Sequence, residues 1–552
     1  MEFAGEIAGK LRELKAGLRL TRALQWLTAA VSAPVVKTPG IFTAMMLMLT
    51  AVPWVHYVWI KPGKVLPVTA TEQMLSVAAV LVWSALAVYL LIRKWKRPVA
   101  CTWLVLCFVP LTANWLIDLV LMVVYERFFT ADIAAVILAS NPDEAGNFVS
   151  AYGSNEALLY LVGSVVLFVG SYFALSSLRK VIPGSMHRPL RVLAVVLMAT
   201  AAYFMATMPD TDVTKTNICG KIDEFTKYDS GHEIVPSGVP IVTDPSAAPQ
   251  KIVVIVGESL SRSHCSLYGY EKQTQPLLEK LVADSSLVVF DNPTAPALHT
   301  MSAFKHFIGT WNGEADRNWY ECPTFLEMAR RSGYRLSWLS NQSPKGFYDN
   351  PVTKIAEFCD RMEFTGDGMN GSTCMRMNCG LDSLLIPMAQ KWNDKAKDLS
   401  VIHLMGSHVA YHLRYPDSYD RFGISDYADR PTKRQRSVLS CYDNTVLYND
   451  MVVSRLMKLY DSQDAVVVYF SDHAQDMFEV DENYFGHGRD NVPASMAVAA
   501  AIPMMVYMTP EFRRRHPDTE ARIRQAAATP FNTTDLTLLL MDIMHTSFAD
   551  KN

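Results

Sequence analysis

No CxxC pair occurs among the nine cysteines, which removes the usual framework of a structural zinc finger. The G-x-x-x-x-G-K-S/T phosphate loop is missing too, and with it any support for ATP chemistry. Gly257-Glu-Ser-Leu-Ser261 opens like a serine-hydrolase elbow but lacks the closing glycine, so Ser259 reads better as a helix cap. Basic charge is not in excess: 51 Lys and Arg against 54 Asp and Glu leave a net charge of −3, no footprint for nucleic acid. Internal repeats and low-complexity tracts are absent. No cleavable signal peptide is apparent, because the first strongly apolar segment begins late and is followed by others.

What the chain does have is two unlike halves. Apolar stretches near 41–60, 75–93, 101–125, 156–178 and 190–208 each approach the roughly 20 residues that cross a bilayer core. Arg93-Lys-Trp-Lys-Arg97 lies between the second and third, and Arg179, Lys180, Arg188 and Arg191 flank the gap between the fourth and fifth. Lys10, Arg12, Lys15, Arg19, Arg22 and Lys37 precede the first. The connection over 126–155 instead carries Glu126, Asp132, Asp143 and Glu144 against Arg127. The positive-inside rule therefore predicts a cytoplasmic amino terminus, five transmembrane helices and an exported remainder, periplasmic in a bacterium. Leu11, Leu14 and Leu18 among basic residues fit an interfacial helix or an ordinary cytoplasmic tail helix.

The expected organisation is a membrane domain over 1–210, a linker over 211–250 and a soluble α/β/α domain over 251–552 with a mostly parallel sheet. Pro, Ser, Thr, Asp and Gly dominate the linker, as in Pro236-Ser-Gly-Val-Pro240. Beyond it, strand-like runs (251–256, 287–290, 335–339, 399–404, 465–470) alternate with helical patterns (275–281, 324–332, 442–460). Seven cysteines fall after residue 210, an odd number, and Cys374 and Cys379 are close enough in sequence for a local disulfide.

Two of the strand runs, Lys251-Ile-Val-Val-Ile-Val-Gly-Glu258 and Val466-Val-Val-Tyr-Phe-Ser-Asp-His473, end in metal-binding side chains. Reactive groups gather beyond the carboxyl ends of parallel strands, so Glu258, Asp472 and His473 are expected to meet, as a set of oxygen and imidazole donors suited to zinc or manganese. Alternatively, Glu258 caps a helix and Asp472-His473 is a solvated turn. A lone histidine is more often structural than ligating, but repetition at strand ends favours function for His408, His473 and His487, leaving His403 and His412 as structural.

These residues fall into ordered motifs: Gly257-Glu-Ser-x-Ser-Arg through Ser266-Leu-Tyr-Gly-Tyr270; Thr274-Gln-Pro276; Asn341-Gln with Lys345-Gly; His403-Leu-Met-Gly-Ser-His408 with Arg414-Tyr-Pro416; Tyr442-Asp-Asn-Thr-Val-Leu-Tyr448; Ser471-Asp-His473; and His487-Gly. With the five-span topology and Asn141-Pro-Asp-Glu-Ala145, the set resembles the bacterial phosphoethanolamine transferases, membrane-anchored members of the alkaline phosphatase and sulfatase superfamily, over nearly the whole chain.

The resemblance implies an alkaline-phosphatase-like catalytic domain and a zinc ion held by Glu258, Thr300, Asp472 and His473. It sets His408 and His487 near the transferred phosphoryl group or a second zinc. Thr300 is the expected nucleophile. The family tends to set that residue in Cys-Gly-Thr, whereas Leu298 and His299 precede it here, so Thr294 and Ser302 stay as alternatives. A helix N-cap role for Thr300 is compatible with catalysis. Asn341 and Lys345 are candidate contacts for phosphate or donor, and Asn141 and Glu144 for a lipid headgroup.

The implied reaction passes phosphoethanolamine from phosphatidylethanolamine to lipopolysaccharide (lipid A or core sugar) or another envelope glycan. It would be carried out by a monomer in the inner membrane with its catalytic domain in the periplasm. The alternatives are a phosphoglycerol transferase using phosphatidylglycerol, which a headgroup label would distinguish, and a catalytically silent metal-binding receptor, which would form no covalent adduct. A sulfatase-like hydrolase has less support, because the Cys/Ser-x-Pro-x-Arg motif is not evident.

Overall fold

The valine- and isoleucine-rich runs pair with one another at the centre of a seven-stranded sheet. The computed structural model describes residues 234–549 apart from 314–317, 343–350, 366–379 and 490–491, together with Arg188, Pro189, Val192 and Val196. The first four expected spans and all but Val192 and Val196 of the fifth lie outside the described residues, as do Cys374 and Cys379. Among the described residues no helix is long and apolar enough to cross a membrane.

The strands are β1 (Lys251–Gly257), β2 (Leu287–Val289), β3 (Arg335–Ser340), β4 (Arg361–Phe364), β5 (Asp398–His403), β6 (Ala465–Ser471) and β7 (Met504–Met508). Their order is β2-β7-β6-β1-β5-β3-β4, and β7 alone runs against the others. Every residue of β1, β5 and β6 is buried, as expected of parallel strands covered on both faces. β-Branched side chains suit that pleated, buried setting. β7 was not expected from the sequence, because Met504-Met-Val-Tyr-Met508 has one β-branched residue.

Helices α1 (Pro276–Ala283), α2 (Thr300–Phe307), α3 (Phe325–Arg331) and α4 (Lys433–Lys458) position the site. The long helix begins nine residues before the expected start at Tyr442, because its first turns are Lys-Arg-Gln-Arg and carry no apolar period. A capping box fixes that start: the Thr432 hydroxyl accepts from the Gln435 N–H, and the Gln435 side chain accepts from the Thr432 N–H. Deeper in the helix, the Asp450 carboxylate accepts from the N–H groups of Leu277 (2.9 Å) and Leu278 (2.8 Å) and so caps α1 from outside it.

Part of the expected linker is folded. Ile241–Thr243 pairs antiparallel with Thr546–Phe548, and Ile234 and Ala248 are buried.

Gly257, the last residue of β1, lies under a tyrosine of the neighbouring strand. A Cβ there would sit 2.7 Å from the Tyr469 hydroxyl, which donates to Asn449 Oδ1 at 3.0 Å. Gly257→Ala should destabilise the folded protein by about 1–3 kcal/mol through overpacking. Adding Tyr469→Phe should recover part of that loss. Thermal melts of the two single variants and the double variant check this, and simple additivity would rule out the clash.

Candidate metal centre

β1 and β6 are parallel neighbours, and Gly257 is in register with Ser471. The next residue of each strand, Glu258 and Asp472, therefore emerges side by side at the carboxyl end of the sheet, about one strand spacing apart. The chain turns sharply at that point. Ser259 adopts a left-handed backbone (φ 59°), costly for a residue with a Cβ, and does not cap a helix as expected from the sequence. In that conformation its N–H donates to Asp472 Oδ1 at 3.1 Å and its hydroxyl to Glu258 Oε1 at 2.6 Å.

Asp472 Oδ1 also accepts from the His473 N–H at 2.7 Å, whereas Oδ2 is buried with no hydrogen-bond partner. His473 Nδ1 can donate to the Ala474 carbonyl at 3.0 Å, the arrangement that frees Nε2 for a ligand. Nε2 lies 3.3 Å from Glu258 Oε1 and 3.6 Å from Asp472 Oδ2.

Thr300, the first residue of α2, brings its hydroxyl to 3.0 Å from Glu258 Oε2 and 3.4 Å from His473 Nε2. A tetrahedral zinc with bonds of about 2.0–2.2 Å holds its ligand atoms roughly 3.3–3.6 Å apart. The distances from Thr300 to Glu258 and His473 and from His473 to Glu258 and Asp472, 3.0–3.6 Å, are close to that spacing, two of the groups are carboxylates matching a divalent charge, and the orphaned Asp472 Oδ2 would gain a partner. Thr294 is elsewhere, donating to the Phe531 carbonyl and accepting from Asn532. Ser302 sits in the first turn of α2, where its carbonyl accepts from His306 Nδ1.

Without a cation, the cluster divides its charge unevenly. Burial alone would raise Glu258, but the hydrogen bond and positive charge of His473 hold it well below the usual carboxylate range. Asp472 is pushed up to about 7 by burial and by the Glu258 charge. His473 is raised to about 9, the Asp472 charge and the Glu258 hydrogen bond overcoming burial. His408 is lowered to about 4 by burial and then by the Arg414 charge, against the pull of Glu258, and His487 is held well below 6.5 by burial and its histidine neighbours. Both are neutral imidazoles near pH 7. His487 is flanked by His473, at 4.9 Å between ring centroids, and by His299, at 4.7 Å.

The loop after β5 delivers His408. Asp382, fully buried, accepts the N–H groups of Met405 (2.7 Å) and Gly406 (2.8 Å). Gly406 is left-handed (φ +49°), and a Cβ there would meet the Glu258 carbonyl oxygen at 2.6 Å. Only glycine lets this loop pass so close to Glu258.

Asn341 differs from expectation. Its amide donates to Asp382 and to the Gly380 carbonyl and accepts from the Thr365 hydroxyl, so it braces the loop and has no donor left for a phosphate. Gln342 touches the cluster instead, donating to Glu258 Oε2 at 3.2 Å and to the Leu404 carbonyl at 3.1 Å. Lys345, Asn141 and Glu144 lie outside the described residues. His403 is a buried core histidine, edge-on to Phe304 and Trp338, and His412 is exposed.

Other motif residues build the frame. Asp443 of α4 accepts from His264 Nδ1 at 2.6 Å, from the Tyr270 hydroxyl at 2.7 Å and from the Tyr427 hydroxyl. The Ser266-Leu-Tyr-Gly-Tyr270 and Tyr442-Asp443 motifs are thus two halves of one buried brace. Cys265, Cys359 and Cys441 are free thiols.

Residues 250–546 match the sulfatase family. Phosphoethanolamine transferase EptC of Escherichia coli is 24% identical over 430 residues, 72% of each chain. The zinc complex of the periplasmic domain of the E. coli EptC is 25% identical with a TM-score of 0.50, covering 56% of this chain and 86% of that one. The integral membrane lipooligosaccharide phosphoethanolamine transferase A of Neisseria meningitidis is similar in fold, with a TM-score of 0.62 at 17% identity over 92% of this chain and 96% of its own. The chain belongs to the sulfatase family.

Proposed function

We propose that this protein transfers phosphoethanolamine from phosphatidylethanolamine to lipopolysaccharide or another envelope glycan through a phosphothreonine at Thr300. The observation that carries the reading is the Thr300 hydroxyl at the first turn of α2, 3.0 Å from Glu258 and 3.4 Å from His473. Glu258, Asp472, His473 and Thr300 would hold one zinc ion, with His408 and His487 near a second or near the phosphoryl group. A zinc ion in this site supplies a Lewis acid that lowers the pKa of the hydroxyl and offsets charge on the phosphoryl oxygens.

In the first half-reaction Thr300 Oγ loses its proton and bonds to phosphorus. The bond from phosphorus to the glycerol oxygen breaks in line, and diacylglycerol leaves with a proton. In the second, an acceptor oxygen bonds to phosphorus, gives up its proton, and Thr300 Oγ departs and is reprotonated. The neutral imidazoles of His408 and His487 are the groups assigned to move these protons. Gln342 fixes the orientation of Glu258. The five apolar segments would anchor the catalytic domain at the outer face of the inner membrane, within reach of a lipid donor, with Asn141, Glu144 and Lys345 assigned to its headgroup.

Incubation with headgroup-labelled phosphatidylethanolamine should add one phosphoethanolamine to the intact mass at Thr300, and labelled phosphatidylglycerol should add nothing. Thr300→Ala should remove the adduct and lower transfer by about a thousandfold or more. An adduct that survives in Thr300→Ala, or one that comes from phosphatidylglycerol, would defeat the proposal.

Zinc uptake should release protons, because His473 and Asp472 bind them in the metal-free protein at neutral pH. Both values are raised, so the release should grow as pH falls from about 8 to about 6 while apparent zinc affinity weakens. Calorimetric titration in buffers of differing ionisation enthalpy measures this, and zinc binding without proton release across that range would contradict the assigned ligands.

A further inference from the structure

A groove of about 250 Å³ is walled by the segments that follow His408 and precede His487, and neither the ligands nor the donor chemistry accounts for it. Its walls include Val409, Ala410 and His412, which follow His408 in the chain, and Phe485, two residues before His487. The far side is Arg434 and Val438 from the start of α4. The loops that carry two site histidines therefore also form the groove. Arg414 fixes the connection, donating to the carbonyl oxygens of His408 (3.2 Å) and Val409 (2.9 Å). Ala410 holds a left-handed backbone (φ 68°), the kind of strained residue that clusters at binding sites.

Among the described residues no carboxylate lines the groove. Arg434 is exposed, and its guanidinium lies 5.2 Å from the centroid of the Phe485 ring, a cation–π contact that leaves its N–H groups for an anion. Lys433 and Arg436 flank it in sequence, so three cationic residues fall within four positions. Such a groove disfavours the ammonium end of the donor. It is smaller than a typical whole-ligand pocket of roughly 300–1,000 Å³, a size suited to one sugar ring of a larger molecule. Arg434 is the guanidinium that lines the groove, and its planar fork matches the oxygens of a phosphate.

We infer that this groove holds a phosphorylated sugar of the acceptor, with Arg434 gripping its phosphate, beside the histidines that serve the second half-reaction. The inference rests on the transferase reading above. Val409, Ala410 and Phe485 offer an apolar floor to the ring, and the acceptor oxygen then approaches the phosphothreonine from the His408 and His487 side.

The test uses the full-length zinc-loaded protein in detergent micelles, with headgroup-labelled phosphatidylethanolamine and purified lipid A carrying its phosphates. Two products are counted: label on the lipid A and label released to water. In Arg434→Ala the ratio of transfer to release should fall by about tenfold, and further in Arg434→Glu, while Arg434→Lys should keep it within about threefold of the parent. Ser437→Trp, which fills the groove from the exposed face of α4, should lower the same ratio.

Melting temperature and zinc content verify folding of each variant. A ratio unchanged in both the folded Arg434→Glu and Ser437→Trp proteins would overturn the groove assignment and leave the transferase reading standing. A parent protein that neither transfers nor releases the label would instead overturn the transferase reading, and the groove assignment with it.

Discussion

The register of two parallel strands governs the site. Pairing Gly257 with Ser471 places two carboxylates next to each other at the rim of a sheet whose central strands are wholly buried. Two buried like charges repel and are poorly solvated, so this arrangement opposes folding unless positive charge is brought in. His473 supplies some of it, backbone N–H groups supply more, and a divalent cation would complete it. The left-handed turn at Ser259 and the glycine at 406 both follow from the need to bring donors and a second loop up to this pair.

A second tier of buried carboxylates, each in a different chemical situation, holds the first in place. Asp382 fixes the His408 loop through backbone N–H groups, Asp443 collects two tyrosines and a histidine, and Asp450 caps α1. Each is satisfied by several donors, as a buried acceptor must be. The two strand-end carboxylates divide: both oxygens of Glu258 accept hydrogen bonds, whereas Asp472 keeps one oxygen unsatisfied. That open oxygen sets Asp472 apart from the bracing carboxylates.

The strand ends were readable in the sequence because a β-branched run that is buried on both faces stops where a charged side chain first appears, at Glu258 and at Asp472. Their juxtaposition was readable only as a general habit of parallel sheets, since the pairing joins residues far apart in the chain. Asn341 and Gln342 show the limit of motif reading. Successive residues beyond a strand end turn to different sides, so of two adjacent amides one braces a loop and the other reaches Glu258, and sequence does not say which. The early start of α4 is legible in Thr432-x-x-Gln435, a polar capping signal that precedes any apolar periodicity in the helix.

The short pairing of Ile241–Thr243 with Thr546–Phe548 has a mechanical meaning. It clasps the segment that leads into β1 to the last strand among the described residues. A pull on the entering segment loads peripheral contacts, the Val235 N–H to the Tyr320 carbonyl and then the three pairs of this ladder, before it reaches β1 and Glu258 through residues 244–250. β1 is thus relieved of strain on the segment that leads into it, as a cable is clamped before it meets the terminal.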